Sequence, residues 1–153
     1  MRKFANLLAL LAIAAAGAAA QSSGNPQQTS TAKPENDAAV LKSMRIIVHA
    51  EIVYFTAFPQ VGFTCTLADL GGSSGAAPNP HQAMLISSDL AGGRRDGYVY
   101  RLSGCAQNPA VSFHLVATPE GNGRAFCADE SGAVRYAAAS DAATCLTTGI
   151  RVR

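Results

Sequence analysis

The chain has 153 residues, of which 48% are apolar and 14% are charged, and its formal net charge is +2. This length fits one small domain, and the high apolar content with so little net charge argues against an intrinsically disordered chain. The near balance of charge argues against a nucleic-acid partner, because binding to phosphates requires clustered Lys and Arg side chains.

The N-terminus has the pattern of a secretory signal peptide. Arg2 and Lys3 precede an uncharged, apolar stretch at residues 4–20 that ends in three Ala residues. Because signal peptidase recognises small residues after such a stretch, we expect cleavage after Ala20 and export to the periplasm or the extracellular space, with no stable membrane span left. Retention as a membrane anchor is the alternative, although the stretch is short for a span and its second half is Ala and Gly.

A polar segment and then a long helix follow. Residues 21–35 (QSSGNPQQTSTAKPE) lack apolar periodicity, which predicts a flexible linker between the signal peptide at 1–20 and a globular domain at 36–153. Asn36 or Asp37 offers a helix cap, and residues 38–58 contain no Gly or Pro. This pattern predicts a helix of about 20 residues that ends before Pro59.

The predicted helix is amphipathic, with Lys42, Arg45, His49 and Thr56 on its polar face. The opposite stripe, which we expect to cover a core, consists of Leu41, Met44, Ile47, Val48, Ile52 and Phe55. Glu51 lies within that stripe, and a buried carboxylate needs a partner. We expect Glu51 to be a structural acid bonded to loop backbone or to a Tyr, rather than an acid or base with a raised pKa in a cleft.

The second half of the chain carries turn and strand signals. FTCTLADL at 63–70 predicts an extended segment and a short turn, 71–80 a loop, and 81–90 a short second helix preceded by Pro80. Four strands are predicted at 98–102, 112–117, 124–128 and 133–136, joined by turns rich in Gly and Pro. The expected fold is therefore α+β, with the long helix laid across three or four antiparallel strands.

Four cysteines follow the predicted signal peptide, at Cys65, Cys105, Cys127 and Cys145. In an exported chain they predict two disulfides. Of the three possible pairings we prefer Cys65 with Cys105 and Cys127 with Cys145, because each bond then joins neighbouring parts of the chain. A zinc site would need closely paired ligands, which these spacings do not supply.

Several short strings occur in order along the predicted domain. They are Met44-Arg45, Ala50-Glu51, Tyr54, Pro59, Gly62-Phe63, CTLADLGG at 65–72, Gly97-Tyr98, and RAFCADESGAVRY at 124–136. Together they resemble the globular part of type IV pilins and of the major pseudopilins of type II secretion. The resemblance covers residues 36–146, apart from the loop at 73–80, and it implies a pilin-like fold.

The N-terminus departs from the pilin pattern, which has a short basic leader ending in Gly, then Phe, and a Glu five residues into a long membrane helix. Here Phe4 follows Lys3, and the fifth position counted from Phe4 is Leu8. The resemblance therefore implies an exported, soluble pilin-like structural or interaction domain, with protein partners in a pilus or a type II secretion-like system. The alternative is a binding module for a small ligand or surface polymer that uses the loops at 73–80 and 119–123.

Sequence signatures of catalysis are missing, since the chain has no Gly-x-Ser-x-Gly, His-Glu-x-x-His, phosphate loop or dinucleotide fingerprint. We expect no enzyme, cofactor or metal. A triad of His114, Asp129 and a Ser is the remaining catalytic candidate. Some pilin-like subunits bind calcium near the C-terminus, for which Asp129, Glu130 and Asp141 are candidates, although they fall short of the 6 to 8 oxygens that calcium usually takes.

Overall fold

The computed structural model describes residues 34–73, 75, 77–137 and 141–152. The predicted signal peptide at 1–20 lies outside these residues, as does the predicted linker except for its last two positions.

Along the described chain, three helices are followed by five strands, and a fourth helix and a sixth strand come last. The helices are α1 (Pro34–Ala57), α2 (Leu67–Leu70), α3 (Ser88–Ala91) and α4 (Ala142–Thr148). The strands are β1 (Arg94–Arg95), β2 (Tyr98–Ser103), β3 (His114–Pro119), β4 (Phe126–Asp129), β5 (Arg135–Tyr136) and β6 (Ile150–Arg151). None of the helices in this part of the chain combines the length and the apolar character that crossing a membrane requires.

The six strands form one sheet in which every neighbouring pair is antiparallel and the spatial order follows the chain. This confirms the α+β class and the antiparallel meander, but the sheet has six strands rather than three or four. The predicted four correspond to β2, β3, β4 and β5. The edge strands β1 and β6 span two residues each, too short to show the alternation by which a strand is recognised in a sequence.

One face of the sheet packs against α1. Leu115 and Ala117 of β3 lie directly opposite Ala128 and Phe126 of β4, so the four side chains share a face, and all are buried. They form a core with Met44, Ile47 and other apolar residues of α1. The long helix thus covers the centre of the sheet, as the amphipathic pattern predicts.

The opposite face of β4 is covered by α4. Cys127 points away from α1, because it alternates with Phe126 and Ala128, and it forms a disulfide with Cys145 of α4. The Asp141 carboxylate accepts a hydrogen bond from the amide of Ala143 and so caps the start of α4. The sequence patterns predict neither a helix nor a strand in this C-terminal segment.

The start of α1 differs from the prediction. The helix begins at Pro34 rather than after a cap at Asn36 or Asp37, because Pro is well tolerated in a first helical turn. Its start moves the linker boundary from 35 to before 34. Asp37 instead forms an ion pair with Nε of Arg124 at 3.2 Å, which ties this end of α1 to the β3–β4 connection.

The buried stripe of α1 is also rotated from the predicted one. It runs through Val40, Met44, Ile47, Glu51 and Tyr54, all with at most 1% of their surface exposed. Ile52 and Phe55, which the sequence pattern places in the stripe, are 46% and 38% exposed. Ile52 lies about 140° around the helix from Ile47, at the edge of the polar face, because each residue advances by about 100°.

The predicted second helix over 81–90 is wrong. Only Ser88–Ala91 is helical, and the preceding residues form backbone hydrogen bonds with the C-terminal end of α2. There the amides of Ala83 and Met84 donate to the carbonyls of Asp69 and Gly71, both at 2.7 Å. These tertiary bonds compete with the local helical bonds that the sequence favours, and Met84 adopts a φ of 58°.

Candidate functional site

Glu51 lies at the centre of the buried stripe of α1, with none of its surface exposed. Its Oε2 accepts a hydrogen bond from the backbone amide of Thr64 at 3.1 Å, across 13 residues of chain. Its Oε1 has no hydrogen-bond partner among the residues that the structure describes. The predicted bond from a buried Glu51 to loop backbone is therefore present, and it holds the segment after α1 against the helix.

A chain of polar contacts leads from Thr64 towards the surface. The Thr64 hydroxyl donates to Oδ2 of Asp69 at 3.0 Å and accepts from the amide of Thr66 at 3.1 Å. Oδ1 of Asp69 lies 3.6 Å from Nδ1 of the exposed His81. Beside this chain, the Tyr54 hydroxyl donates to the carbonyl of Pro80 at 2.8 Å. We refer to Glu51, Thr64 and Asp69 as the polar cluster; it links α1, the loop after it, and α2.

Burial raises the pKa of Glu51 to about 8, since desolvation disfavours the charged carboxylate. The bond from Thr64 lowers this pKa and the nearby Asp69 raises it, and both effects are smaller than desolvation. Burial also raises the pKa of the Tyr54 hydroxyl, and the negative charges of Asp69 and Glu51 raise it further. Glu51 is thus an enclosed acid whose raised pKa keeps it protonated at neutral pH, which suits a structural role.

Both disulfides have the preferred pairing. Cys65 and Cys105 join the segment before α2 to the loop after β2, with Cα atoms 5.8 Å apart. Cys127 and Cys145 join β4 to α4 at 5.9 Å, and both are fully buried. Each separation is ordinary for a disulfide. The first bond therefore secures the polar cluster's loop to the sheet, and the second secures α4.

The triad candidate is not assembled. The strand register places His114 of β3 opposite Asp129 of β4, but no hydrogen bond joins their side chains. The Asp129 carboxylate accepts bonds instead from the amide and hydroxyl of Ser131 and, at 2.9 Å, from Nη1 of Arg135. Burial raises the pKa of Asp129, but the bonds from Ser131 and Arg135 outweigh it and hold the pKa below its usual value.

The calcium candidates serve separate structural contacts. Asp129 closes the β4–β5 hairpin, Asp141 caps α4, and Glu130 is exposed in the hairpin turn. Within the part of the chain that the structure describes, no group of three or more His, Cys, Asp or Glu side chains is placed to hold a metal ion.

The loops of the alternative binding role lie apart along the chain. In the first, Asn79 and Gln82 exchange backbone hydrogen bonds of 3.1 and 2.9 Å, which close a tight turn beside Tyr54. In the second, Glu120 forms an ion pair with Arg94 of β1 at 2.7 Å. No polar group in either loop is both buried and unpartnered among the described residues.

The outer face of α1 carries a surface that the sequence did not assign to binding. An open groove of about 420 Å³ runs along it. We call it the α1 groove; its lining residues are Ala38, Lys42, Arg45, Ile46, His49 and Leu85. The sequence predicts the polar face of α1. It does not predict Leu85 as a lining residue, because the segment before α3 brings Leu85 to the helix only in the folded chain. In the sequence, Lys42 and Arg45 on the polar face of α1 are the only indication of this groove.

Comparisons with protein-family models, with curated proteins and with solved structures found no match to this chain.

Proposed function

We propose that this chain is an exported, non-catalytic interaction domain of the pilin-like kind, which works with a type IV pilus or a type II secretion-like system. The observation that carries the proposal is the arrangement of α1. One face of this helix is committed to the sheet, whereas the opposite face stays exposed and bears the α1 groove. A long helix presented in this way is a rigid surface for another protein.

The strings that resemble pilins support this proposal because they include residues that the fold requires for steric reasons or for hydrogen bonds. Gly62 has a φ of 83°, and a Cβ there would come within 2.1 Å of the carbonyl oxygen of Ala110. Asp129 and Gly132 close the last hairpin through side-chain and backbone bonds. The shared residues thus act in building the fold, which fits a common architecture rather than a common catalytic site.

Export is supported by the cysteines. All four cysteines of the chain are paired in disulfides, and such bonds persist in oxidising compartments. N-terminal sequencing of the protein from its native cells should give Gln21 as the first residue. A protein that still begins at Met1 in the membrane fraction would contradict cleavage and favour the anchor.

A non-catalytic role is supported by what the acidic residues contact. Glu51, whose pKa is raised most strongly towards neutrality, is enclosed between α1 and the Thr64 loop. Asp129 is held by Ser131 and Arg135. Both carboxyl groups therefore stabilise the fold where they stand.

Affinity purification from the native cells tests the proposed function. The full chain carries a C-terminal tag, and the matched control is the same tag on residues 1–35 alone, so that capture depends on the globular domain. We expect subunits of a pilus or secretion apparatus with the full chain and not with the control. Recovery of a surface polymer or small molecule without such subunits would support the alternative binding role and contradict the proposal.

A further inference from the structure

The α1 groove combines an apolar floor with a cationic rim. Ile46 and Leu85 are partly buried and pack against the core, whereas Lys42, Arg45 and His49 are exposed. The groove is concave, so its apolar side chains do not project from the protein. A ligand that fills it must bring apolar groups into the groove and anionic groups to its rim.

The cations of the groove have no anionic partners within the described residues. Lys42 and Arg45 form no ion pair there, whereas Arg94 and Arg135 each have a carboxylate oxygen within 2.9 Å. Lys42 and Arg45 lie three residues apart on α1, and like charges at this spacing on a helix repel one another. The free chain therefore leaves this repulsion unrelieved, and carboxylates of a partner would relieve it.

Charge extends beyond the groove in one direction. Arg45 also borders a neighbouring depression of about 320 Å³, whose far side includes Arg151 of β6. Arg151 likewise has no ion pair among the described residues. The cationic surface thus continues from α1 to β6, and Arg45 lines both depressions.

We infer that the α1 groove binds an acidic amphipathic segment of another protein, which places apolar side chains against Ile46 and Leu85 and carboxylates beside Lys42 and Arg45. Guanidinium groups bind carboxylates through paired hydrogen bonds, which suits Arg45 at the shared rim. An amphipathic helix laid in an apolar groove is a common mode of peptide recognition.

A protein segment fits this surface better than an anionic membrane does. Membrane-binding basic surfaces use about four to eight clustered Lys and Arg side chains, whereas this surface has three, Lys42, Arg45 and Arg151. They also insert projecting apolar side chains, whereas Ile46 and Leu85 lie in a concavity. The occupant we infer is therefore a peptide segment, and an anionic membrane is an outcome to be tested against it.

The test uses the oxidised chain from residue 21 onward, labelled with nitrogen-15, and a synthetic helical peptide with leucine on one face and glutamate on the other. A scrambled peptide of the same composition controls for charge alone. We expect the patterned peptide to shift the amide resonances of residues 38–49 and 85, and the scrambled peptide to bind much more weakly. Equal binding of both peptides, or no binding of either, would overturn the inference.

Charge reversal locates the binding. Lys42→Glu with Arg45→Glu should weaken the patterned peptide about tenfold or more. The matched control is Arg101→Glu, since Arg101 is exposed on β2 and points away from the face that α1 covers; it should change affinity less than about twofold. Equal losses in both variants would place the peptide elsewhere and overturn the inference.

Two further measurements address other occupants. Tighter binding to vesicles of phosphatidylglycerol than to the patterned peptide, lost with the groove variant, would replace the inferred segment with a membrane. Dimerisation in analytical ultracentrifugation that the groove variant abolishes would replace it with a second copy. The inference rests on the proposed interaction role, but this test contains no pilus or secretion component, so each can fail without the other.

Discussion

The buried acid of α1 makes the stability of this protein depend on pH in a direction opposite to that of most carboxylates. Glu51 has a pKa of about 8 in the folded chain, against an ordinary value of 4.5. As the pH rises between these values, the unfolded chain releases a proton that the folded chain still holds. Unfolding therefore becomes more favourable with rising pH, and the stability present below the unfolded pKa is lost by the folded pKa.

The magnitude follows from the shift. The free energy of unfolding should fall by about 1.4 kcal/mol per pH unit across the window, and by about 5 kcal/mol in total between pH 4.5 and 8. Glu51→Gln removes the titration and keeps an oxygen that accepts from the Thr64 amide. The variant should therefore lack the fall in stability that Glu51 causes across the window, and at pH 8 its stability should exceed that of the wild type.

Urea unfolding of the oxidised proteins, followed by circular dichroism at several pH values from 5 to 8.5, measures both effects. Other groups titrate in the wild type and the variant alike, so the difference between the two curves isolates Glu51. Glu51→Ala is the companion variant, which strands the Thr64 amide and should lose about 1 to 3 kcal/mol even where Glu51→Gln does not. Parallel curves for the wild type and Glu51→Gln would refute the burial and protonation of this acid.

Three further perturbations test the fold. Replacing Cys127 and Cys145 by Ala should cost about 3 kcal/mol, because the bond closes a loop across 18 residues, and thermal unfolding with and without reductant measures it. Gly62→Ala should cost about 2 kcal/mol or more, because Gly62 has a positive φ and the added Cβ would clash with the backbone of Ala110. Gly121→Ala is the control and should cost little, because a Cβ there would meet open space. Equal melting temperatures of the two variants would contradict this reasoning. Asp129→Asn should lose about 1 kcal/mol at neutral pH, because it weakens the bonds to Ser131 and Arg135. It should also flatten the acid limb of stability as the pH falls below 3.8, the ordinary value from which the pKa of Asp129 is lowered; an unchanged acid limb would count against these bonds.

Much of the central architecture could be predicted from local patterns. The 24 residues of α1 contain no Gly and keep Pro only at the first position, and the turns between β2 and β5 carry Gly, Pro and Asn. The burial of Glu51 also follows from the pattern, because its neighbours at helical spacing are apolar. These features depend on residues close together in the chain, which is where propensity and periodicity carry information.

The rest depends on contacts between distant segments. Residues 83–86 have the composition of a helix, but their amides form hydrogen bonds with α2. The strands β1 and β6 form only because they pair with the edges of β2 and β5. Thr64 as the donor to Glu51, and Leu85 as a wall of the α1 groove, are likewise set by tertiary packing. The residue pattern of a single helix or strand does not indicate which distant residues it contacts. The candidate site could therefore not be predicted without the tertiary structure.

The central claim, that the outer face of α1 is where this protein meets its partner, is tested most directly by photocross-linking in the native cells. A photoreactive residue replaces Arg45 in the full chain in one strain and Arg101, on the far side of the sheet, in another. The account predicts that position 45 cross-links to a subunit of a pilus or secretion apparatus and that position 101 does not. Cross-links from position 101 alone, or from position 45 only to proteins outside such an apparatus, would contradict it.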